Sequence, residues 1–249
     1  MLRLDRWLVT LGTGSRSEMQ KLIRKGGVKV NGQIVTDPGK QVDETSAQLT
    51  VQGVPVDGRL TRHVMLHKPA GLLTAARDKK QPTVMDLLPE TYAAIGCMPV
   101  GRLDKDTTGL LLLTTDGEMN HRLLAPGRHV DKTYRAVVEG ELNAAHIAAF
   151  AAGMHLPGED GAPAFDAEPA RLTIEAPDVG VVTVHEGKFH QVKRMFAAVG
   201  CPVKQLHRLT FGSLRLDESL PQGQWRELTE DEIAALYADA QMARMEESQ

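Results

Sequence analysis

The polar stretch Gly101-Arg102-Leu103-Asp104-Lys105-Asp106-Thr107-Thr108-Gly109 runs straight into the apolar run Leu110 to Leu113 and then Thr115-Asp116-Gly117. A carboxylate near an arginine, on a loop anchored by a buried strand, is a rigid way to present a nucleophile or a base. The loop is also dense in groups that hydrogen-bond their own backbone, so Asp104 or Asp106 equally suits a turn cap. A second group begins at His190-Gln191-Val192-Lys193-Arg194. There Val192, Phe196 and Val199 share a helical face and Gly200 supplies a stop. Lys193 and Arg194 fall near the start of that helix, free to reach a carboxylate or a phosphate. A third group, Lys132 to Val138, alternates like a half-buried strand and turns Tyr134 to one face.

Other chemistries lack residues they cannot do without. His185-Glu186-Gly187-Lys188-Phe189-His190 invites a zinc reading, but the imidazoles are five residues apart and Gly187 opposes a helix, so no metal site is expected. The chain contains no GxxxxGK[ST] loop, no GxGxxG after a strand and no GxSxG elbow. Cys97 and Cys201 are too isolated for a disulfide scaffold or a zinc ribbon. Asp104 and Asp106 as a glycosidase pair is disfavoured, because residues i and i+2 generally diverge and aromatics make up only 4% of the chain. The 249 residues suggest one or two domains, and no apolar run approaches the ~18 residues of a membrane helix. The charged N-terminal stretch MLRLDRWLVT is no signal peptide, so the expected location is the cytoplasm.

The net charge of −3 hides a gradient. Residues 1–30 hold seven basic groups against two acids, and residues 185–215 hold six against one, whereas residues 227–249 hold seven acids against one arginine. Two positive islands in a mildly acidic chain fit local phosphate contacts. In the first island Leu4, Leu8 and Leu11 line a helix that breaks at Gly12-Thr13-Gly14, and Ser15 with Glu18 forms a capping box for a second helix. That helix gathers Met19, Leu22 and Ile23 on one face and directs Lys21, Arg24 and Lys25 to the other. Val28-Lys29-Val30, Asn31-Gly32 and Gln33-Ile34-Val35 then read as a hairpin with a tight primed turn. A basic helical face backed by a hairpin suits the backbone of folded RNA.

The segment LRLDRWLVTLGTGSRSEMQKLIRKGGVKVNGQIV resembles the S4 RNA-binding domain, with Val54 to Gly58 as its last strand and a boundary near residue 60. The remainder resembles the RsuA-type pseudouridine synthases, which modify ribosomal RNA. The carriers are LHKPAG at 66–71, TVMDLLP at 83–89, GRLDKDTTGLLLLTTDG at 101–117, KTYRA at 132–136, EGKFHQVKRMFAAVG at 186–200 and LHRLTFGSLRL at 206–216. HQVKRMFAAVG followed by LHR is closest to the branch that acts on small-subunit (16S) rRNA, at the site numbered uridine 516. The family often has Asn where His67 stands, which leaves His67 without an implied role.

The resemblance implies an α+β fold: an S4 domain over 1–58, two helices and a hairpin, then a catalytic domain over 62–240 with a mixed, mainly antiparallel sheet flanked by helices. It implies that Asp104 is the catalytic nucleophile, that Lys193 pairs with it, and that Tyr134 stacks near the target base and helps move the proton at C5. Arg102 is expected to fill the gap left by a flipped base, and Leu206 to line the pocket. Arg16, Lys21, Arg24, Lys25, Lys188, Arg194, Lys204 and Arg208 are the expected phosphate contacts. No cofactor is required, because breaking the N1–C1′ bond and rejoining the base through C5 oxidises nothing and adds no group. The expected partner is ribosomal RNA in a partly assembled small subunit, met by a monomer. Residues 151–170, rich in Ala, Gly and Pro, are expected to be a non-catalytic loop or insertion, and Thr229-x-x-Glu232 to open an acidic C-terminal helix. The same chemistry on large-subunit rRNA, and a non-catalytic ribosome-assembly factor, are the alternatives. Asp104, Tyr134 and Lys193 together speak against the second.

Overall fold

The computed structural model describes residues 1–159 and 161–242, so the last seven residues of the acidic tail lie outside it. Helices α1 (Leu4–Thr10) and α2 (Arg16–Arg24) open the chain. Leu4, Trp7, Leu8, Leu11, Met19 and Ile23 are buried together with Val28, Val30 and Leu49 from the short strands behind them. The capping box forms: the Glu18 amide donates to the Ser15 hydroxyl (3.4 Å) and the Ser15 amide donates to the Glu18 carboxylate (2.8 Å). Asn31 and Gly32 both take positive φ (51° and 78°) in the two-residue turn between strands Val28–Val30 and Gln33–Ile34, as a primed turn requires. Arg16, Lys21, Arg24 and Lys25 are exposed.

Asp5 is wholly buried beneath this module and accepts hydrogen bonds from Arg3 (3.0 and 2.9 Å), Gln20 (2.8 Å) and Arg16 (3.4 Å). The Arg3 hydrogen bond, ahead of the opposing effect of burial, holds its carboxyl well below the usual carboxylate range. A depressed folded-state pKa stabilises the fold above the unfolded value of about 4, and that stabilisation is lost as pH falls. Asp5→Asn is therefore expected to lower Tm at pH 7 and to differ less from wild type below about pH 4. Melts at both pH values check this, and a gap independent of pH would refute it.

The remainder is built on a nine-stranded sheet. Its main strands are β1 (His63–Lys68), β2 (Thr108–Thr114), β3 (Lys132–Val138), β4 (Arg171–Ala176), β5 (Val179–Val184), β6 (Val203–Phe211) and β7 (Trp225–Glu227). Their order is β4-β5-β3-β6-β2-β1-β7, and every neighbouring pair is antiparallel except β6 and β2. The four leucines of β2 do not alternate with polar residues because the sheet is covered on both faces. Leu111 and Leu113 join Val64, Leu66, Ala136, Val182 and Phe196 on one side, while Leu110 and Leu112 join Met65, Met119, Phe211 and Leu236 on the other. Helices α3 (Gly117–Leu124) and α5 (Glu230–Asp239) cover the second face, and α4 (Gln191–Ala198) the first. Asp116 is the cap of α3, accepting from the Met119 amide at 2.9 Å, so Thr115-Asp116-Gly117 leads from β2 directly into a helix. The Thr229–Glu232 box forms at the start of α5 and places Leu236 and Tyr237 inward.

The described residues within 151–170 include two paired strands, not only loop. Strands Met154–Leu156 and Phe165–Ala167 pair antiparallel, and Leu156 and Ala167 enter the core. The parallel pairing of β6 with β2, through His207–Thr108 and Arg208–Gly109, sets the loop 101–107 against β6. It needs glycine at 109: φ is +104° there, and a Cβ would lie 2.3 Å from the Arg208 carbonyl oxygen.

Candidate active site

The loop 101–107 enters β2 at the end of the sheet where Tyr134 on β3 lies between Arg208 of β6 and Val182 of β5. Its shape is imposed from below by Lys68, the last residue of β1. Lys68 is completely buried, and its ammonium donates to the carbonyls of Pro69 (3.1 Å), Asp104 (3.1 Å), Lys105 (3.3 Å) and Thr107 (2.9 Å). Thr74 adds a second tie, its hydroxyl donating to the Leu103 carbonyl at 2.8 Å. Burial pushes the Lys68 ammonium down to about 8, with Asp106 and Asp104 opposing the shift. The result is a loop whose backbone is held by a single internal cation.

On that frame the Asp104 side chain stands in a half-open cleft, 30% exposed, with one carboxylate oxygen 3.1 Å from Lys193 Nζ and the other 3.5 Å from His190 Nε2. Lys193 also holds Asp106, at 2.6 Å. Asp104 and Asp106 thus converge on one ammonium instead of diverging, because the chain folds back within the loop, where the Thr107 amide donates to the Asp104 carbonyl at 3.1 Å. Burial works to raise the Asp106 carboxyl and to lower Lys193. In both groups the ion pairing outweighs burial, so Asp106 lies below its ordinary value and Lys193 above it. The ammonium stays charged at neutral pH. Two carboxylates clamped on one cation leave no arrangement in which they flank a scissile bond, which removes the glycosidase reading.

Tyr134, Leu206, Val184 and Val192 form the apolar side of the cleft, and Arg102, Lys188 and Glu186 its polar rim. Tyr134 is 8% exposed. Arg102 is exposed, and its guanidinium makes no hydrogen bond or ion pair with any described residue. A carboxyl group held by a fixed ammonium, an aromatic wall and an unengaged arginine around one opening can receive a flat, extruded base beside a sugar.

Residues 62–198 match the family model described as RNA pseudouridylate synthase, and residues 2–47 match the S4 domain. The chain belongs to the RNA pseudouridylate synthase family. It is 41% identical to ribosomal small subunit pseudouridine synthase A of Pseudomonas aeruginosa, across 94% of this chain and 100% of the relative. It is 40% identical to an uncharacterised RNA pseudouridine synthase of Bacillus subtilis, across 94% of this chain and 98% of the relative. A crystal structure of a pseudouridylate synthase, 37% identical, superimposes with a TM-score of 0.66 over 95% of this chain and 100% of the other.

Two of the expected phosphate contacts of this pseudouridine synthase point inward. Arg194 is 5% exposed; it donates to the carbonyls of Leu156 (3.4 Å), Pro157 and Pro163 (3.4 Å) and lies over the Phe165 ring. It braces α4 against the Met154–Ala167 hairpin and is unavailable to RNA. Arg208 is 1% exposed and donates through Nε to the Leu110 carbonyl at 2.7 Å. It ties β6 to β2 across their parallel pairing. Both expectations failed for the same reason: a local excess of positive charge shows where cations lie along the chain, not whether each side chain meets solvent. Lys188 remains at the rim, paired with Glu186 at 2.6 Å, and Lys204 is exposed.

Three contributors to the synthase site carried little sequence signal. Lys68 lies in the LHKPAG motif but reads as an ordinary charged strand end. His190 faces Asp104 and not His185, from a left-handed backbone (φ 49°) at the cap of α4. Asp106 reads as a turn cap and is a partner of Lys193. His67 has a local role, its Nδ1 2.7 Å from the Leu220 carbonyl and its ring edge-on to His207.

Proposed function

We propose that this synthase isomerises one uridine of small-subunit (16S) rRNA, the site numbered 516, to pseudouridine, and that Asp104 initiates the reaction. The observation that carries the mechanism is the Asp104 carboxyl group 3.1 Å from Lys193 Nζ inside the cleft that Tyr134 walls. The ionised carboxylate either attacks the ribose C1′ or takes a proton beside it, and both routes release the base from its N1–C1′ bond. The base turns and C5 bonds to C1′ as the carboxylate–C1′ bond breaks, or as the proton taken beside C1′ is returned on the other route, and the proton lost from C5 is balanced by one gained at N1. Tyr134 packs the base during the turn and assists the proton at C5. Unstacking the uridine costs a few kcal/mol, which Tyr134 and insertion of Arg102 offset in part. The small-subunit target is supported by the name of the Pseudomonas aeruginosa relative, which matches over the whole of its length.

We assign residues 1–58 to RNA capture and residues 62–240 to the chemistry, in a cytoplasmic monomer that meets its rRNA in a partly assembled small subunit. The separate apolar core formed by residues 4–49 supports that division. Mapping pseudouridine in ribosomal RNA from cells with and without this chain tests the target. One modified small-subunit uridine should disappear; loss from large-subunit rRNA would reassign the substrate, and no change would refute the reading. On purified components, reversing Lys21, Arg24 and Lys25 to glutamate should raise KM about tenfold or more and flatten its salt dependence, with kcat little changed. An equal collapse of the single-turnover rate at saturating RNA would mean that the module acts in the chemistry itself.

A further inference from the structure

The spacing of His185 and His190 offers no metal site, but the tertiary neighbours of His185 do. His185 ends just beyond β5, Glu168 follows the strand Phe165–Ala167, and His129 follows the short turn Pro126–Arg128 ahead of β3. These three segments bring two imidazoles and a carboxylate together with all donor atoms within 4.8 Å of one another. The geometry points to a divalent transition-metal site of the zinc class, held by His129, Glu168 and His185 beside the catalytic cleft.

The distances fit one ion. Ligand atoms bound tetrahedrally at about 2.0–2.1 Å stand roughly 3.3 Å apart, and two imidazoles so bound have ring centres about 5 Å apart. Glu168 Oε2 lies 2.6 Å from His185 Nε2 and 3.9 Å from His129 Nδ1, on either side of that spacing. The two rings are 5.1 Å apart at 73°. Shifts of under about 1 Å in exposed side chains would equalise the donors around an ion. His129 lies in the left-handed region (φ +50°), in the short segment between the turn Pro126–Arg128 and β3. Apart from Glu168 and the edge of His185, its ring has no partner among the described residues. Two nitrogens and one carboxylate suit zinc-like ions and not magnesium or calcium, which favour oxygen throughout. All three side chains are partly exposed, which gives an entry path and leaves a fourth position for water.

The site is joined to the catalytic wall by two bonds. The Glu168 amide donates to the Glu186 carboxylate at 2.9 Å, and Lys132 on β3 donates to the His185 carbonyl at 3.4 Å. An ion here clamps the approaches to β3 and β4 and the end of β5, and so stiffens the rim that carries Glu186 and Lys188.

The test uses the full chain freed of metal by a chelator, titrated calorimetrically with zinc alone and, separately, with cobalt(II) followed by its visible absorption. One ion per chain and a zinc-dependent rise in Tm are expected for wild type. His129→Ala and His185→Ala should each weaken binding by more than the roughly 10–100-fold that loss of a second-shell partner costs, and should abolish the Tm response. Glu168→Gln, which keeps the shape of the side chain, should also weaken binding and keeps the test open if an alanine variant folds poorly. His155→Ala, which removes the neighbouring exposed His155–Asp166 pair (2.7 Å), should leave binding unchanged. No zinc binding by wild type, or equal binding by the His129 and His185 variants, would overturn the assignment.

Discussion

Asp104→Asn is expected to lower the single-turnover rate of pseudouridine formation by at least about a thousandfold, roughly 4 kcal/mol of barrier, while RNA affinity stays near wild type. The amide is close in size to the carboxylate but neither attacks C1′ nor accepts a proton from its neighbourhood. The loop should keep its form, because Lys68 grips the backbone carbonyl of residue 104 and not its side chain, and Lys193 retains Asp106 at 2.6 Å. Asp106→Asn is the control for its neighbour. Its side chain is 74% exposed, against 30% for Asp104, and it reaches the cleft only through the shared ammonium. A loss below about tenfold is expected there, in the range of a weakened, partly exposed charge pair. Release of tritium from C5-labelled uridine in an RNA substrate measures both. An active Asp104→Asn enzyme would remove Asp104 from the mechanism, and an Asp106 variant equally dead would place Asp106 in it.

The second large effect is expected at a residue that touches no substrate. Lys68→Met removes the one donor shared by the carbonyls of Pro69, Asp104, Lys105 and Thr107. Methionine fills similar space without the charge, yet leaves buried carbonyls unsatisfied at about 1–3 kcal/mol each before relaxation. A net destabilisation of ~2–4 kcal/mol is expected, because the loop relaxes and part of the carbonyl set finds water. The activity loss should exceed the stability loss. A displacement of about 1 Å in a positioned group can cost a hundredfold in rate. Thermal melts and single-turnover rates at a temperature where the variant is folded separate the two effects.

Wild type carries a pH signature of the same residue. Burial places the folded Lys68 pKa at about 8, below its ordinary 10.5. Above pH 8 the native ammonium becomes an amine and loses a donor, so the loop loosens and kcat should fall. Stability moves the other way. Between pH 8 and 10.5 the unfolded chain holds the proton that the native chain has released, so this group's contribution to ΔG of unfolding rises with pH. Lys132, also pushed down to about 8 by burial, adds in the same direction. An alkaline fall in kcat that Lys68→Met lacks would identify the group; a fall in both proteins would assign it elsewhere.

Much of this molecule was readable in one dimension. The capping boxes at Ser15 and Thr229, the turn at Asn31-Gly32 and the β2 leucines are local signals, and local signals survive folding because their partners lie within a few residues. The motif residues Asp104, Tyr134, Lys193 and Leu206 meet in one cleft. What the chain alone left open involves partners far apart in sequence. Lys193 and Asp106 are 87 residues apart, and Arg208 and Leu110 are 98. The positive island at 185–215 marked Arg194 and Arg208 for phosphate, and the tertiary fold turned both inward to satisfy backbone carbonyls at the hairpin and at the β2–β6 joint.

The order of residues therefore determined most of the elements, the family and the carboxylate proposed to react, since those readings depend on side-chain period and on short motifs. Only the folded chain decided which charges stay exposed and which serve the frame, that one lysine beneath the loop holds the backbone at Asp104, and that His185 finds His129 and Glu168 in place of His190. Burial and ion pairing are properties of surroundings, and distant segments supply most of those surroundings.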